Sequence, residues 1–263
     1  MKTKNHLISI KTLTDYHLES FIRCPYKFYH QYILRKNSDE VKWRQMVQFS
    51  VNKIISDYYR LPLNEQNKLN LLKLIDQYWE SIHPSLFENK IHYYMILAKV
   101  TDHLLLFLTS EKSDQPPLFL YERIQTSVDE IGTKISLTID VGEWSKNTFS
   151  VKKYLLDADE SLIKLYKYLI IIFSQKAFGV LPDKIELLSV IDGKRHLIYP
   201  AEHDVAKGFM YLKFVKTHIE KLDRYFKKNG HNNCSECTYQ KECDFHEIEK
   251  ANKLNTSLKT VTH

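Results

Sequence analysis

Leu118-Phe119-Leu120-Tyr121-Glu122-Arg123-Ile124-Gln125-Thr126-Ser127-Val128 and Lys134-Ile135-Ser136-Leu137-Thr138-Ile139-Asp140-Val141 decide the fold. Both runs are rich in β-branched and aromatic residues, and Glu130-Ile131-Gly132-Thr133 between them reads as a hairpin. Residues 147–155 alternate and predict a third strand. Asp157-Ala158-Asp159-Glu160 leads into a predicted helix over 161–177, because acidic residues suit a helix start. Residues 185–191 and 195–199 predict a further strand pair around Asp192-Gly193-Lys194.

Upstream of Gln115-Pro116-Pro117 the texture differs. Thr14 or Asp15 can cap a helix with Leu18, Phe21 and Ile22 on one face, and Pro25 suits the first turn of a second helix over 26–34. Residues 41–59, 69–79 and 91–108 show helical spacing of apolar side chains, so 1–112 reads as almost wholly helical. A last helix over 205–228 turns Phe209, Leu212, Ile219, Leu222 and Phe226 inward. Its Lys213, Lys216, Lys221, Arg224, Lys227 and Lys228 point mostly outward. The order of elements predicts an α/β fold in one domain, a mixed sheet flanked by helices. Its parts are a helical region (1–112), a core (117–228), a cysteine segment (229–247) and a tail (248–263).

The 263 residues are 43% apolar, enough for a sizeable core, and only six glycines and seven prolines argue against a loop-rich sandwich or a low-complexity chain. The net charge of +6 is compatible with a nucleic-acid partner. No signal-peptide pattern follows Met1, and the most apolar stretch, Tyr168 to Phe173, is too short to span a bilayer. A cytoplasmic protein without a membrane partner is expected. No Walker A motif is present, so the chain is not expected to be a helicase itself.

The four cysteines are split one plus three: Cys24 in Arg23-Cys24-Pro25-Tyr26-Lys27-Phe28-Tyr29, and Cys234, Cys237 and Cys243 in a C-x2-C-x5-C run. Four unrelated buried thiols would be an ordinary explanation of Cys24 alone. It fits the clustered triplet poorly, because that segment is polar and a reducing cytosol disfavours disulfides. Four thiolates are what a cubane iron–sulfur cluster or a tetrahedral zinc needs, and spacing does not choose between them.

Thr14-x3-Leu18-x2-Phe21-x2-Cys24-Pro25-Tyr26-Lys27-Phe28-Tyr29 with Cys234-x2-Cys237-x5-Cys243 resembles the iron–sulfur branch of the PD-(D/E)XK nuclease superfamily. That branch includes the nuclease domain of the AddB helicase–nuclease subunit and the CRISPR-associated adaptation nucleases. The resemblance implies a restriction-endonuclease-like sheet and a 4Fe–4S cluster on Cys24, Cys234, Cys237 and Cys243 that staples the fold closed. Glu122 looks like the acid of the first core strand and Asp140 like the metal-binding Asp of the second. In Phe149-Ser150-Val151-Lys152-Lys153 the lysine is matched by Lys153, but Val151 stands where the third-strand acid belongs. Lys164-Leu165-Tyr166-Lys167-Tyr168 looks like the Gln-Leu-x-x-Tyr helix with Lys in place of Gln, and Asn52 stands where several members carry a His.

Clustered carboxylates hold Mg²⁺ in such enzymes, and valine cannot coordinate. Asp140 and Lys153 are therefore expected as a vestigial catalytic pair in a DNA-binding protein of repair, recombination or defence. The basic last helix and Tyr26, Tyr29 and Tyr32 would serve as phosphate and stacking contacts. An active Mg²⁺- or Mn²⁺-dependent exonuclease would need a migrated acid, for which Asp157, Asp159 and Glu160 are the candidates. A scaffold that binds a helicase or another repair partner is the third expectation.

Overall fold

A computed structural model describes residues 11–36, 42–110, 115–221, 237 and 239. Among them the chain forms seven α-helices and one mixed six-stranded sheet. The strands are β1 (Thr12–Thr14), β2 (Phe119–Val128), β3 (Thr133–Trp144), β4 (Phe149–Leu155), β5 (Lys184–Ser189) and β6 (Arg195–Ile198). The helices are α1 (Asp15–Arg23), α2 (Pro25–Phe28), α3 (Trp43–Arg60), α4 (Lys68–Trp79), α5 (Lys90–Thr109), α6 (Glu160–Ala177) and α7 (Glu202–Ile219). The N-terminal region is not wholly helical, since β1 joins the sheet. The predicted second helix is α2 continued by a π-helical turn over Tyr29–Ile33.

β2 runs antiparallel along one edge of β3, from Phe119↔Gly142 to Val128↔Thr133. β1 and β4 therefore share the other edge. β1 pairs parallel with Lys134 to Ser136, and β4 pairs antiparallel with Val141 to Trp144. β5 lies parallel to β4, and the α6 crossover supplies the connection that parallel neighbours require. β6 closes the sheet antiparallel to β5.

Two apolar clusters lie against the sheet. One joins α1, α6 and α7 to Ile135, Leu137, Ile139, Val151 and Ile185; the other joins α3, α4 and α5 to Val141, Tyr154, Leu188 and Val190. A strand alternates faces with period two, yet Ile139 and Val141 fall in opposite clusters, so the alternation of β3 breaks at Asp140. On β2, Tyr121 lies between the pairs Leu120↔Val141 and Glu122↔Ile139, and it adopts a φ of 49°, which is uncommon for a bulky residue.

α6 starts where Asp159 accepts the Leu162 N–H at 2.9 Å, and Leu169 to Phe173 are all 0–1% exposed between the sheet and α7. α5 is long and apolar enough to cross a membrane, unlike the stretch singled out from the sequence. One side of it is a core element: Ile96, Val100, Leu104, Phe107 and Leu108 are buried, the Leu108 carbonyl accepts from Tyr58 of α3, and His103 bonds the Val190 carbonyl. α7 ends at Ile219 with Glu220 as its cap, short of the predicted 228; residues 222–228 lie outside the described residues.

β2 can lie flat on β3 at Gly142 because no Cβ is there; one would stand 2.7 Å from Cδ2 and 3.2 Å from Cβ of Phe119. Gly142→Ala is expected to lose about 1–3 kcal/mol of stability in a urea titration, as overpacked sites do.

Candidate functional site

Past the pair Val141↔Lys152 the β3–β4 ladder stops, because β4 follows β5 while β3 continues towards β1. The fork this opens leaves backbone groups of β3 and β4 needing partners, and a buried unpaired group costs about as much as a lost hydrogen bond. Charged side chains supply them. Asp15, directly after β1, accepts the Thr138 N–H on Oδ2 at 3.2 Å. Lys153 donates Nζ to the Thr138 carbonyl at 3.3 Å and to Asp140 Oδ1 at 2.7 Å. Asp140 Oδ2 accepts the Tyr154 N–H at 2.9 Å. Asp15 Oδ2 stands 3.7 Å from the same Lys153 Nζ, so two carboxylates share one ammonium.

All three groups are buried: Asp15 is 2%, Asp140 3% and Lys153 8% exposed. Burial pushes the Asp140 carboxyl above its ordinary range, opposed by Lys153 and the Tyr154 N–H. Burial also penalises the Lys153 ammonium, but Asp140 and Asp15 outweigh it and hold the lysine pKa above its usual value.

A polar chain leaves the fork. Lys153 lies 5.4 Å from the Tyr166 ring, and Tyr166 donates its hydroxyl to Glu19 at 2.6 Å. Glu19 holds Arg23 at 2.8 Å, and Arg23 and Arg44 both pair with Asp157, at 3.2 and 2.6 Å. On α3, Asn52 accepts from Gln48 at 2.8 Å and from the Tyr121 hydroxyl at 3.5 Å.

Several sequence expectations are corrected here. Lys152 and Lys153, which as a bare dipeptide would read as solvated, are both withdrawn from water. Both are buried and, as neighbours on a strand, point to opposite faces, Lys152 bonding Glu143 at 2.8 Å beside Tyr59. Lys164 stands over Tyr211 of α7 at 5.3 Å, so the residue of this helix that meets Lys153 is Tyr166. Of the migrated-acid candidates, Asp157 is taken by two arginines, Asp159 caps α6, and Glu160 is exposed in its first turn. Glu122 is exposed on edge strand β2. Tyr26 packs on His30 and Tyr32 on His17 and Phe28, while Tyr29 packs against the main core, so these tyrosines are half-buried in an aromatic cluster. Asp15, Glu19 and Tyr166 were not singled out for this cluster. Asp15 reads as an ordinary helix-start acid, and nothing local says that β1 delivers it to β3.

Of the four cysteines, Cys24 and Cys237 lie among the described residues and Cys234 and Cys243 outside them. Cys24 is the N-cap of α2, where its Sγ accepts the Lys27 N–H at 3.4 Å. Backbone N–H donors at a helix start favour a thiolate. Tyr239, two residues beyond Cys237, is 5% exposed; its ring packs 5.2 Å from that of His30, and its hydroxyl donates to the Lys36 carbonyl at 2.6 Å. Tyr239 is thus seated on the chain just after Cys24. No group of three or more His, Cys, Asp or Glu that could hold a metal ion forms among the described residues.

No family model matches the chain, and no curated protein matches it. Among solved structures, one titled "Crystal structure of SSO0001" is similar over 89% of this chain and 86% of that one, at 13% identity and a TM-score of 0.38. At that score the likeness assigns neither a fold family nor an activity.

Removing one member of a buried pair strands the other's charge. Lys153→Met is expected to cost about 3–5 kcal/mol in urea unfolding. Asp140→Asn in the same chain should return part of that loss, so the double variant falls well short of the summed single effects.

Proposed function

We propose that this chain is an iron–sulfur, PD-(D/E)XK nuclease-like protein that binds DNA and has lost cleavage chemistry, acting in repair, recombination or defence. The reading rests most on the third-strand motif position. Val151, two residues before Lys153, is 1% exposed in the apolar core, and Asp140 spends both oxygens on Lys153 and Tyr154. Mg²⁺ needs carboxylate oxygens open to it and to its waters, and here an ammonium already compensates the acid. The succession β2, β3, β4, α6, β5 supports the fold family. It sets Asp140 on the second strand, Lys153 on the third and the Lys164–Tyr168 segment on the following helix, as the resemblance orders them.

Cys24, Cys234, Cys237 and Cys243 would hold the cluster, with zinc as the alternative occupant. Seating of Tyr239 on His30 and the N-cap position of Cys24 both suit a thiolate-bound centre joining the two ends of the chain. The centre would act as a structural staple. In this reading stacking and charge for DNA come from two exposed aromatic–cation pairs rather than from the early tyrosines. Tyr16, next to Asp15, is 52% exposed with the Arg123 guanidinium 5.5 Å from its ring; Phe49, on the helix that carries Asn52, is 56% exposed with Lys53 at 5.7 Å. Aromatic faces beside cations suit single-stranded nucleic acid.

A second reading, an active metal-dependent nuclease, draws on Asp15. If Lys153 left the fork, Asp15 and Asp140 would face each other as a carboxylate pair.

Protein isolated without oxygen is expected to be brown, absorbing near ~400 nm as thiolate-bound iron does, and Cys24→Ser should lose the colour; a colourless protein containing stoichiometric zinc would replace iron by zinc in this reading. Fluorescence anisotropy with a labelled single strand should show affinity that falls steeply with salt, and Tyr16→Ala with Arg123→Ala should weaken it ~10-fold or more. Absence of binding at low salt would sink the DNA reading. Cleavage of that strand in Mg²⁺ or Mn²⁺, abolished by Asp15→Asn, would establish the second reading instead.

A further inference from the structure

α5 buries one side in the helical layer and exposes the other. Ile91 is 80%, Met95 46% and Leu106 54% exposed, a larger apolar stripe than a single helix of a monomer usually shows to water. Along this outer side Ile91, Met95, Ala98, Asp102, Leu105 and Thr109 follow at alternating steps of four and three, the spacing of a coiled-coil seam. All but Leu105 and Thr109, which are half-buried, are exposed. The middle of the stripe carries two exposed charges of opposite sign, Lys99 and Asp102.

We propose that this seam is a self-association surface, pairing with α5 of a second copy antiparallel about a two-fold axis beside Val100. In that register Met95 meets the partner's Leu105, Ile91 meets the partner's Thr109, and Ala98 faces the partner's Asp102. Lys99 then lies one residue along from the partner's Asp102, and the two-fold axis repeats the contact. A parallel pair would set Lys99 against Lys99 and Asp102 against Asp102, so the charges select the antiparallel arrangement. Ala98 near the centre lets the backbones approach closely. Asp102, the one charge in the seam, fixes the register at some cost in stability. The same two charges disfavour a bilayer as the occupant, because they would sit at the centre of the exposed face in hydrocarbon.

Sedimentation velocity on the full-length protein, at concentrations from sub-micromolar to tens of micromolar, tests this. The unaltered chain is expected to move from monomer to dimer. Asp102→Lys, which sets lysines against lysines twice, should weaken association ~10-fold or more. Lys99→Asp with Asp102→Lys should restore it, and Met95→Glu should leave a monomer. These side chains are exposed, so unchanged circular dichroism is expected throughout. A protein that stays monomeric, or one whose dimer ignores both charge reversals, would overturn the proposal. So would a monomer that floats with phosphatidylcholine–phosphatidylglycerol vesicles. None of these outcomes depends on DNA binding or on the cluster.

Discussion

An ammonium and a carboxylate removed from water are tolerated only when each answers the other and their remaining hydrogen-bonding capacity is met. Asp140 and Lys153 satisfy that condition where the sheet divides. β4 turns to follow β5, β3 turns to follow β1, and the pair closes the gap between them. Asp15 completes the closure from the start of α1, so the fork is held by side chains from three separate segments. The break in β3 alternation and the positive φ of Tyr121 lie opposite each other at the same level. Backbone distortion of this kind persists where surrounding contacts over-determine it, and it concentrates at functional sites.

The contacts that close the fork also limit its chemistry. A metal-dependent hydrolase leaves carboxylate oxygens and a water in reach of the ion. Here Lys153 supplies the positive charge instead, and the neighbouring strand position is filled by valine packed among Ile185 and other core residues. Two aromatic–cation pairs stay open to solvent, Tyr16 with Arg123 beside the exposed Glu122, and Phe49 with Lys53 on α3.

Thr14 and Tyr239 tie distant segments to the core by different means. Thr14 caps α1 and is itself part of β1, so the short first strand and the helix carrying Glu19 and Arg23 are set by one residue. Tyr239 reaches back to His30 and Lys36 from more than two hundred residues away, next to the turn that Cys24 caps. A centre bound there would tie together segments that otherwise touch through aromatic packing.

Strands β2 to β6 and helices α3 to α7 were legible because alternation, helical spacing, Gly193 and the Pro116-Pro117 break are local signals. Asp140 and Lys153 were named together only through the motif resemblance, which matches them to an acid and a lysine on neighbouring strands. The three-residue β1 was not, because a strand that short carries too little pattern, and its pairing with β3 spans more than a hundred residues. The role of Asp15 followed that pairing out of sight. The burial of Lys152 and Lys153 on opposite faces could not be read either, since a Lys-Lys dipeptide looks solvated until the sheet is covered on both sides. By itself the sequence determined the longer strands and helices, because those preferences are settled within a few residues. Only the tertiary structure decided which charges meet in the fork, because desolvation and pairing depend on segments brought together from across the chain.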